Sequence, residues 1–194
     1  CDMIKATHDD KKLIVELLSG SFEHNQSVNY IIRQDTKKPE RIRALMEYSI
    51  EICSLFGEVW LSDDKEACAL ILFPHEKKTT FRSIYLDLKL IFRAIGLGGI
   101  GKTMKREALI KEKQPKEKMA YLWFIGVNPM YQHTGIGSSL LTEVIADSEV
   151  KGLPVFLETS TLKNLPWYKR FGFHIYDELT LTYMLYFLKR EPFK

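Results

Sequence analysis

Three stretches of the chain place residue types at spacings that could do chemistry. The first is GLGGIGKT (residues 96–103), a full match to G-x-x-x-x-G-K-[ST], in which glycine N–H groups wrap phosphates and the lysine reaches the outer ones. The second, VNPMYQHTGIGSSLL (127–141), sets Gln132, Gly135 and Gly137 as Q-x-x-G-x-G at the start of an amphipathic stretch. Free N–H groups cluster at such a helix start, and the helix dipole favours negative charge there. Gly135 and Gly137 carry no Cβ, so a diphosphate can approach the backbone closely, and Ser138 can add a hydroxyl donor. Plain structure also uses glycine-opened helices, so this pattern alone is weak. The third stretch, LETSTLKNLPWYKRFGF (157–173), spaces Asn164, Tyr168 and Gly172-Phe173 behind an apolar strand carrying one acid, Glu158.

Whether any of these can work depends on the elements that aim them. A phosphate-cradling loop needs a strand before it and a helix after it. GLGGIGKT instead follows LKLIFRAI, whose apolar spacing is helical, and residues 80–95 as a whole show a helical stripe of Phe81, Ile84, Leu88, Ile91, Phe92 and Ile95. GLGG therefore reads as a turn between two helices, with Lys102 and Thr103 opening the second, and the nucleotide-hydrolase reading is discounted. The second and third stretches fare better. An apolar strand over 119–128 precedes the glycine-opened helix 135–152, which points Ile136, Leu140, Leu141, Val144 and Ile145 inward and stops at Gly152. A strand over 154–160, a short helix over 164–172 and two closing strands over 174–188 follow. Upstream, residues 3–9 read as a short strand, Leu13, Ile14, Leu17 and Leu18 recur at helical spacing, and 39–56 form a helix with Pro39 near its start. Residues 58–73 read as two strands around the turn Ser62-Asp63-Asp64-Lys65. The order is mixed α/β, with strand–helix–strand in the C-terminal half.

The whole chain limits the partners. Its 194 residues suit one domain with an ordinary core, and 45% apolar with 27% charged residues is the balance of a globular protein. A formal charge of +3 gives no case for nucleic acid or an acidic membrane. Basic residues do gather over 102–118, but glutamates interrupt them, as in a solvated helix and loop. Cys1, Cys53 and Cys68 form no C-x-x-C pair, which argues against zinc and disulfides, suits a reducing cytoplasm and leaves no metal expected. No apolar run approaches the roughly 20 residues of a membrane span. The opening residues lack a secretory-signal pattern. A cysteine in first place is not an ordinary initiation product, so Met3 is the expected start and Cys1 a remnant or processed terminus.

Taken together, residues 119–178 resemble the GNAT superfamily of N-acetyltransferases. Two motifs carry the resemblance in the family's order and separation: V-x-P-x-x-Q-x-x-G-x-G-x-x-L from Val127 to Leu140, then N-x-x-x-Y-x-x-x-G-F from Asn164 to Phe173. Residues 157–173 are also similar to the puromycin N-acetyltransferases, over about a tenth of the chain. The resemblance implies a central twisted, mostly antiparallel sheet with one splayed parallel strand pair, flanked by helices, in a single domain over 1–194. Its acetyl-CoA-binding core would be about 119–178 and its variable helical insertion about 75–118.

It further implies acetyl transfer from acetyl-CoA by direct attack of a neutral amine on the thioester. N–H groups of His133, Thr134, Gly135, Ile136, Gly137 and Ser138, in the loop opened by Gln132, would take the diphosphate. The edge formed by Ile125, Gly126 and Val127 would pair with the pantetheine arm in the gap between the splayed strands. The N–H of Val127 would polarise the thioester carbonyl, with Gly126 allowing a bulge there. Tyr168 matches the family's general-acid tyrosine, and Asn164 its cofactor-contacting asparagine, although core packing and helix capping are the plain alternatives. Glu158 is the candidate base or amine anchor, with a salt bridge to a nearby lysine or arginine as the alternative. The expected acceptor is a small-molecule amine, with a protein N-terminus or lysine as the alternative and a non-catalytic acyl-CoA-binding module as the reading from another class. The acceptor pocket is expected from residues 20–40 and 75–118, with Tyr30, Tyr85, Tyr121 and Trp123 available to wall it. A cytoplasmic location follows from composition, and a homodimer from family habit.

Overall fold

The computed structural model describes residues 2–193, so the question posed by Cys1 lies outside the described residues. In chain order, the elements are β1 (Met3–Lys5), α1 (Lys11–Phe22), α2 (Gln26–Ile31), α3 (Lys38–Phe56), β2 (Gly57–Ser62), β3 (Ala67–Leu72), α4 (Phe81–Leu90) and α5 (Ile100–Lys113). They continue with β4 (Ala120–Val127), α6 (Ile136–Val150), β5 (Val155–Thr159), α7 (Leu165–Arg170), β6 (His174–Thr180) and β7 (Met184–Arg190). The strands form one sheet in the order β1-β2-β3-β4-β5-β7-β6. All neighbours are antiparallel except β4 and β5, which are joined through α6 as a parallel pair must be.

Two apolar layers hold the sheet. On one face α1 and α3 pack Leu18, Met46 and Cys53 against Leu61, Leu70 and Phe124. On the other, Leu140, Leu141 and Val144 of α6 meet Ile71, Leu122 and Leu157. This two-sided burial explains why β3 is buried at every position. A third cluster joins Ile110 of α5 to Tyr183, Leu185 and Phe187, so α5 covers the β6–β7 end of the first face.

Three readings need correction. The first strand stops at Lys5, because the Asp10 carboxylate accepts from the Thr7 N–H at 2.9 Å and folds His8–Asp10 into a 3-10 turn. The helix α2 has no counterpart in the sequence reading; it is one capped turn, with Asn25 accepting from the Val28 N–H, and only Val28 buried. Finally, the stripe over 80–95 does not run as one regular α-helix. Leu86 and Ala94 reach the core while Phe81, Ile84, Leu88 and Phe92 are exposed, and the last turn, Ile91–Ile95, is a π-helix.

The strand pair β4–β5 is paired only at Ala120↔Val155 and Tyr121↔Phe156 and then diverges. Strand β4 is also bulged. Its register with β3 passes from Leu70↔Phe124 to Ile71↔Leu122, leaving Trp123 as the extra residue. Two hydrogen bonds show what this does. The Ala120 N–H donates to Pro154 on the β5 side, and the Asn128 N–H, an even number of residues on, donates to Glu66 on the β3 side. Strict alternation would aim both the same way, so the bulge inverts the ladder and turns the N–H groups of Ile125 and Val127 toward the gap. Side chains agree: Trp123 and Phe124 both lie with the α1 layer, rings 5.7 Å apart, while Ile125 and Val127 lie with the α6 layer. The bulge is thus at Trp123, not at Gly126. Gly126 has a different task, since a Cβ there would stand 3.0 Å from Leu18 Cδ2 and 3.2 Å from Ser21 Oγ; its absence lets α1 lie close on β4.

Candidate active site

Behind Val127 the chain turns through a 3-10 segment, Pro129–Tyr131, and a loop into α6. Asn128 ties this corner down, with its amide donating to Glu66 Oε2 at 2.6 Å and its side-chain carbonyl accepting from the Met130 N–H at 3.2 Å. His133 (φ 65°) and Gly135 (φ 93°) are both left-handed, which coils the backbone so that successive N–H groups turn inward. Gly135 precedes α6 without any side-chain cap. Among the described residues, the N–H groups of residues 132–138 find no acceptor in the protein. Seven unpartnered donors at a helix N-terminus fit a diphosphate.

Gly137 also serves packing: a Cβ there would meet Val127 Cγ2 at 2.9 Å, so glycine lets the start of α6 sit against the end of β4 without a shift of either. Gly137→Val is therefore expected to weaken acetyl-CoA binding at least about tenfold with the far-UV circular dichroism unchanged; equal dissociation constants by calorimetry would remove this link. Ser138 Oγ accepts from Trp167 Nε1 at 2.9 Å, which leaves its own proton free to donate. This lock between α6 and α7 was missed in the sequence, where Trp167 looks like another core aromatic. Ser21 was missed as well: its hydroxyl donates to the Val127 carbonyl at 2.6 Å and fixes the peptide next to the gap.

Tyr168 packs its ring between Trp167 and Phe173, among Val155, Leu157 and α6. It is 6% exposed. Its hydroxyl makes no hydrogen bond to protein, yet it is not among the side-chain atoms sealed from water without a partner; the opening that remains is at the hydroxyl. Burial pushes its pKa up, so it keeps its proton through the neutral range. Asn164 stands at the start of α7 but makes no capping hydrogen bond, which leaves its amide unengaged. The capping alternative therefore does not describe this side chain.

Glu158 points to the opposite face from Val155 and Leu157, as strand alternation requires. Its Oε1 accepts from Gln114 Nε2 at 2.7 Å, while Oε2 is sealed from water with no hydrogen-bonding partner. No lysine or arginine nitrogen among the described residues pairs with it, so the salt bridge weighed above is absent. Burial raises its pKa; the Tyr121 hydroxyl, the Gln114 amide and the charge of Arg106 pull it part of the way back. Around it, burial and the neighbouring carboxylate raise Tyr121 and Tyr176, and the Tyr176 hydroxyl is buried without a partner. Behind them Arg106 donates to the Tyr183 hydroxyl at 3.1 Å and to Ser27 Oγ at 2.5 Å. Tyr121 thus borders this region, whereas Trp123 packs against Tyr48 and Phe124 and Tyr85 is exposed. Tyr30 packs edge-on against Tyr183, ring centroids 5.5 Å apart, and lines a cavity of about 540 Å³ formed by residues 30–34, 95–99 and Lys102. The cavity is lined by the two segments from which the acceptor pocket is expected, while none of the expected catalytic or cofactor-binding residues lines it, and the Lys102 ammonium sits 3.8 Å over the Tyr30 ring. GLGGIGKT follows α4 and its π turn, with no strand to aim it.

This combination of a splayed parallel pair, an inverted strand edge and a donor-rich helix start defines the class of protein. A model of the acetyltransferase (GNAT) family matches residues 51–173, and the chain belongs to that family. Among curated proteins it is 33% identical over 70 residues to an uncharacterized N-acetyltransferase of Schizosaccharomyces pombe, a match covering 36% of this chain and 28% of that one. Two solved structures share the fold over nearly the whole length. A histone acetyltransferase and related acetyltransferase from Corynebacterium glutamicum superposes with a TM-score of 0.69 at 20% identity, covering 99% of this chain and 97% of that one. Arylalkylamine N-acetyltransferase 2 from Aedes aegypti gives 0.67 at 13%, covering 98% of each.

Proposed function

We propose that this chain transfers the acetyl group of acetyl-CoA to the primary amine of a small molecule, with residues 119–178 as the cofactor-binding core and 75–118 as the insertion over the acceptor side. The observation that carries the cofactor is the unbroken run of free N–H groups over 132–138, continued by those of Ile125 and Val127 along the gap. Those donors match a long ligand with an anionic diphosphate and an amide-bearing arm. When bound, acetyl-CoA supplies an activated acetyl thioester. The Val127 N–H then donates to the thioester oxygen, where charge develops. Glu158, its basicity raised by burial, takes a proton from the incoming ammonium, and Tyr168 gives one to the departing sulfur. Asn164 and Ser138 hold the cofactor from the α7 and α6 sides.

A small acceptor is favoured by how the Glu158 region is covered. Helix α5 crosses it from Ser27 to Asp177, which Lys113 Nζ contacts at 2.7 Å, and Gln114 rests on Glu158 itself. That cover suits an enclosed amine better than an extended peptide. The histone and arylalkylamine relatives named above bracket the two choices, and the covered face favours the second kind.

Calorimetric titration with acetyl-CoA and, separately, with ATP and magnesium is the deciding experiment. Binding of acetyl-CoA with no heat from ATP is expected, followed by release of free CoA when small primary amines are added. Turnover on peptides alone would move the acceptor to protein. ATP binding without acetyl-CoA binding would reject the reading altogether.

A further inference from the structure

The apolar stripe of α4 is still without a use. Phe81, Ile84, Tyr85, Leu88 and Phe92 follow one another at three- and four-residue steps and so share one face about 100° wide. That face points away from the protein: Phe81 is 94% exposed, Phe92 68% and Tyr85 63%, with Ile84 and Leu88 about half exposed. The opposite face already packs Ser83, Leu86 and Ala94 inward. A helix apolar on both sides belongs between two layers, and only one layer is present.

We propose that this face is the contact between two copies of the chain, joined by an antiparallel α4–α4 crossing on a two-fold axis between Tyr85 and Leu88. Area is the first argument. The five side chains expose on the order of 500–600 Å² of apolar surface, given about 150–250 Å² for a whole aromatic side chain. That is close to the apolar share, roughly 65%, of the 800 Å² or so that each partner contributes to a stable homodimer. Order is the second. The stripe carries a phenylalanine at each end and Tyr85 and Leu88 in the middle, so a two-fold axis sets Phe81 against the second copy's Phe92 and the central pair against itself, as an isologous contact requires.

Charge is the third argument, and it separates this occupant from an anionic membrane. A lipid-binding helix flanks its apolar face with uncompensated cations. Here the three cations between Phe81 and Ile95 are paired across to α3: Arg82 with Glu51 at 2.7 Å, Lys89 with Glu47 at 3.6 Å, and Arg93 also with Glu47. Of the cations in 77–95, only Lys77 and Lys78, ahead of Phe81, are exposed without a salt bridge among the described residues. On the other flank Asp87 accepts from the Tyr48 hydroxyl at 2.7 Å. An antiparallel crossing brings like flanks together, which unpaired charges would oppose and internally neutralised ones permit.

Sedimentation velocity across a dilution series tests this. The wild-type chain is expected at twice its 22.6 kDa mass, and the double variant Phe81→Glu, Leu88→Glu at the monomer mass, its dimer weakened at least about a hundredfold. The far-UV circular dichroism and acetyl-CoA affinity of the variant should match wild type, and its thermal midpoint should no longer depend on concentration. Should that variant fail to fold, the double variant Tyr85→Cys, Leu88→Cys supplies a second reading, since the axis sets position 85 against the second copy's 88: mild oxidation should link it into dimers while the parent chain stays unlinked. A wild-type monomer at every concentration overturns the proposal, as does a dimer that survives the Phe81→Glu, Leu88→Glu substitution or a Tyr85→Cys, Leu88→Cys chain that stays unlinked. Pelleting of a monomeric wild type with phosphatidylserine vesicles would overturn it in favour of a membrane surface.

Discussion

Replacing Tyr168 by phenylalanine is expected to lower kcat by roughly a hundredfold to a thousandfold while leaving acetyl-CoA affinity and thermal stability where they were. The magnitude is that of removing a general acid. The clean separation from stability follows from the geometry. The ring fills the space between Trp167 and Phe173, and phenylalanine fills it equally. Its hydroxyl gives the fold nothing, because it bonds to no protein atom and keeps an opening to solvent. A tyrosine whose only task is packing would therefore be replaced silently in both respects. Steady-state kinetics, calorimetry and a melting curve on one variant decide between the two, and full turnover would return Tyr168 to the core.

The second large effect belongs to Glu158. Glu158→Gln should reduce kcat/KM by about a hundredfold to ten-thousandfold at neutral pH, the usual range for a lost acid–base group. The pH dependence carries the sign. Burial raises the folded-state pKa of this carboxyl, so its acid form persists to higher pH than an ordinary glutamate. The acid limb of kcat/KM should lie above the usual carboxylate range and disappear in the variant. Stability should move the other way. A raised pKa means that the neutral form fits the fold better: the stability this group contributes is complete below its unfolded pKa and is lost as pH rises through the folded one. The variant should thus melt no lower than wild type at neutral pH, and its advantage should vanish in acid. Activity retained with an unchanged acid limb would assign the base elsewhere and leave Glu158 as a buried partner of Gln114 and Tyr121.

How much of this could be read from residues alone is uneven, and the unevenness has causes. Local signals served where chemistry and periodicity coincide. The motifs from Val127 to Leu140 and from Asn164 to Phe173 correctly announced strand, glycine-opened helix and short helix, because glycine at a positive φ and apolar spacing of 3.6 act within a few residues. The alternation of β5 put Glu158 opposite Leu157 for the same reason. Helix α2 was illegible because a single capped turn leaves no period to detect. The stripe of α4 was legible as a helix but not in direction, since apolar spacing tells which residues share a face and not what that face meets.

By itself, then, the sequence determined the mixed α/β order, the family, the strand-to-helix turn with its free donors, and the dismissal of GLGGIGKT as a phosphate loop. Tertiary structure alone decided the rest. The bulge sits at Trp123 because β3 and β4 differ by one residue across the ladder, a relation between strands that neither strand displays alone. Gly137 is confined by Val127 and Gly126 by Leu18, contacts across layers. Glu158 meets Gln114, 44 residues away in the chain, because α5 folds back over the sheet; a buried carboxylate announces only that it needs a partner, and long-range packing chooses which one.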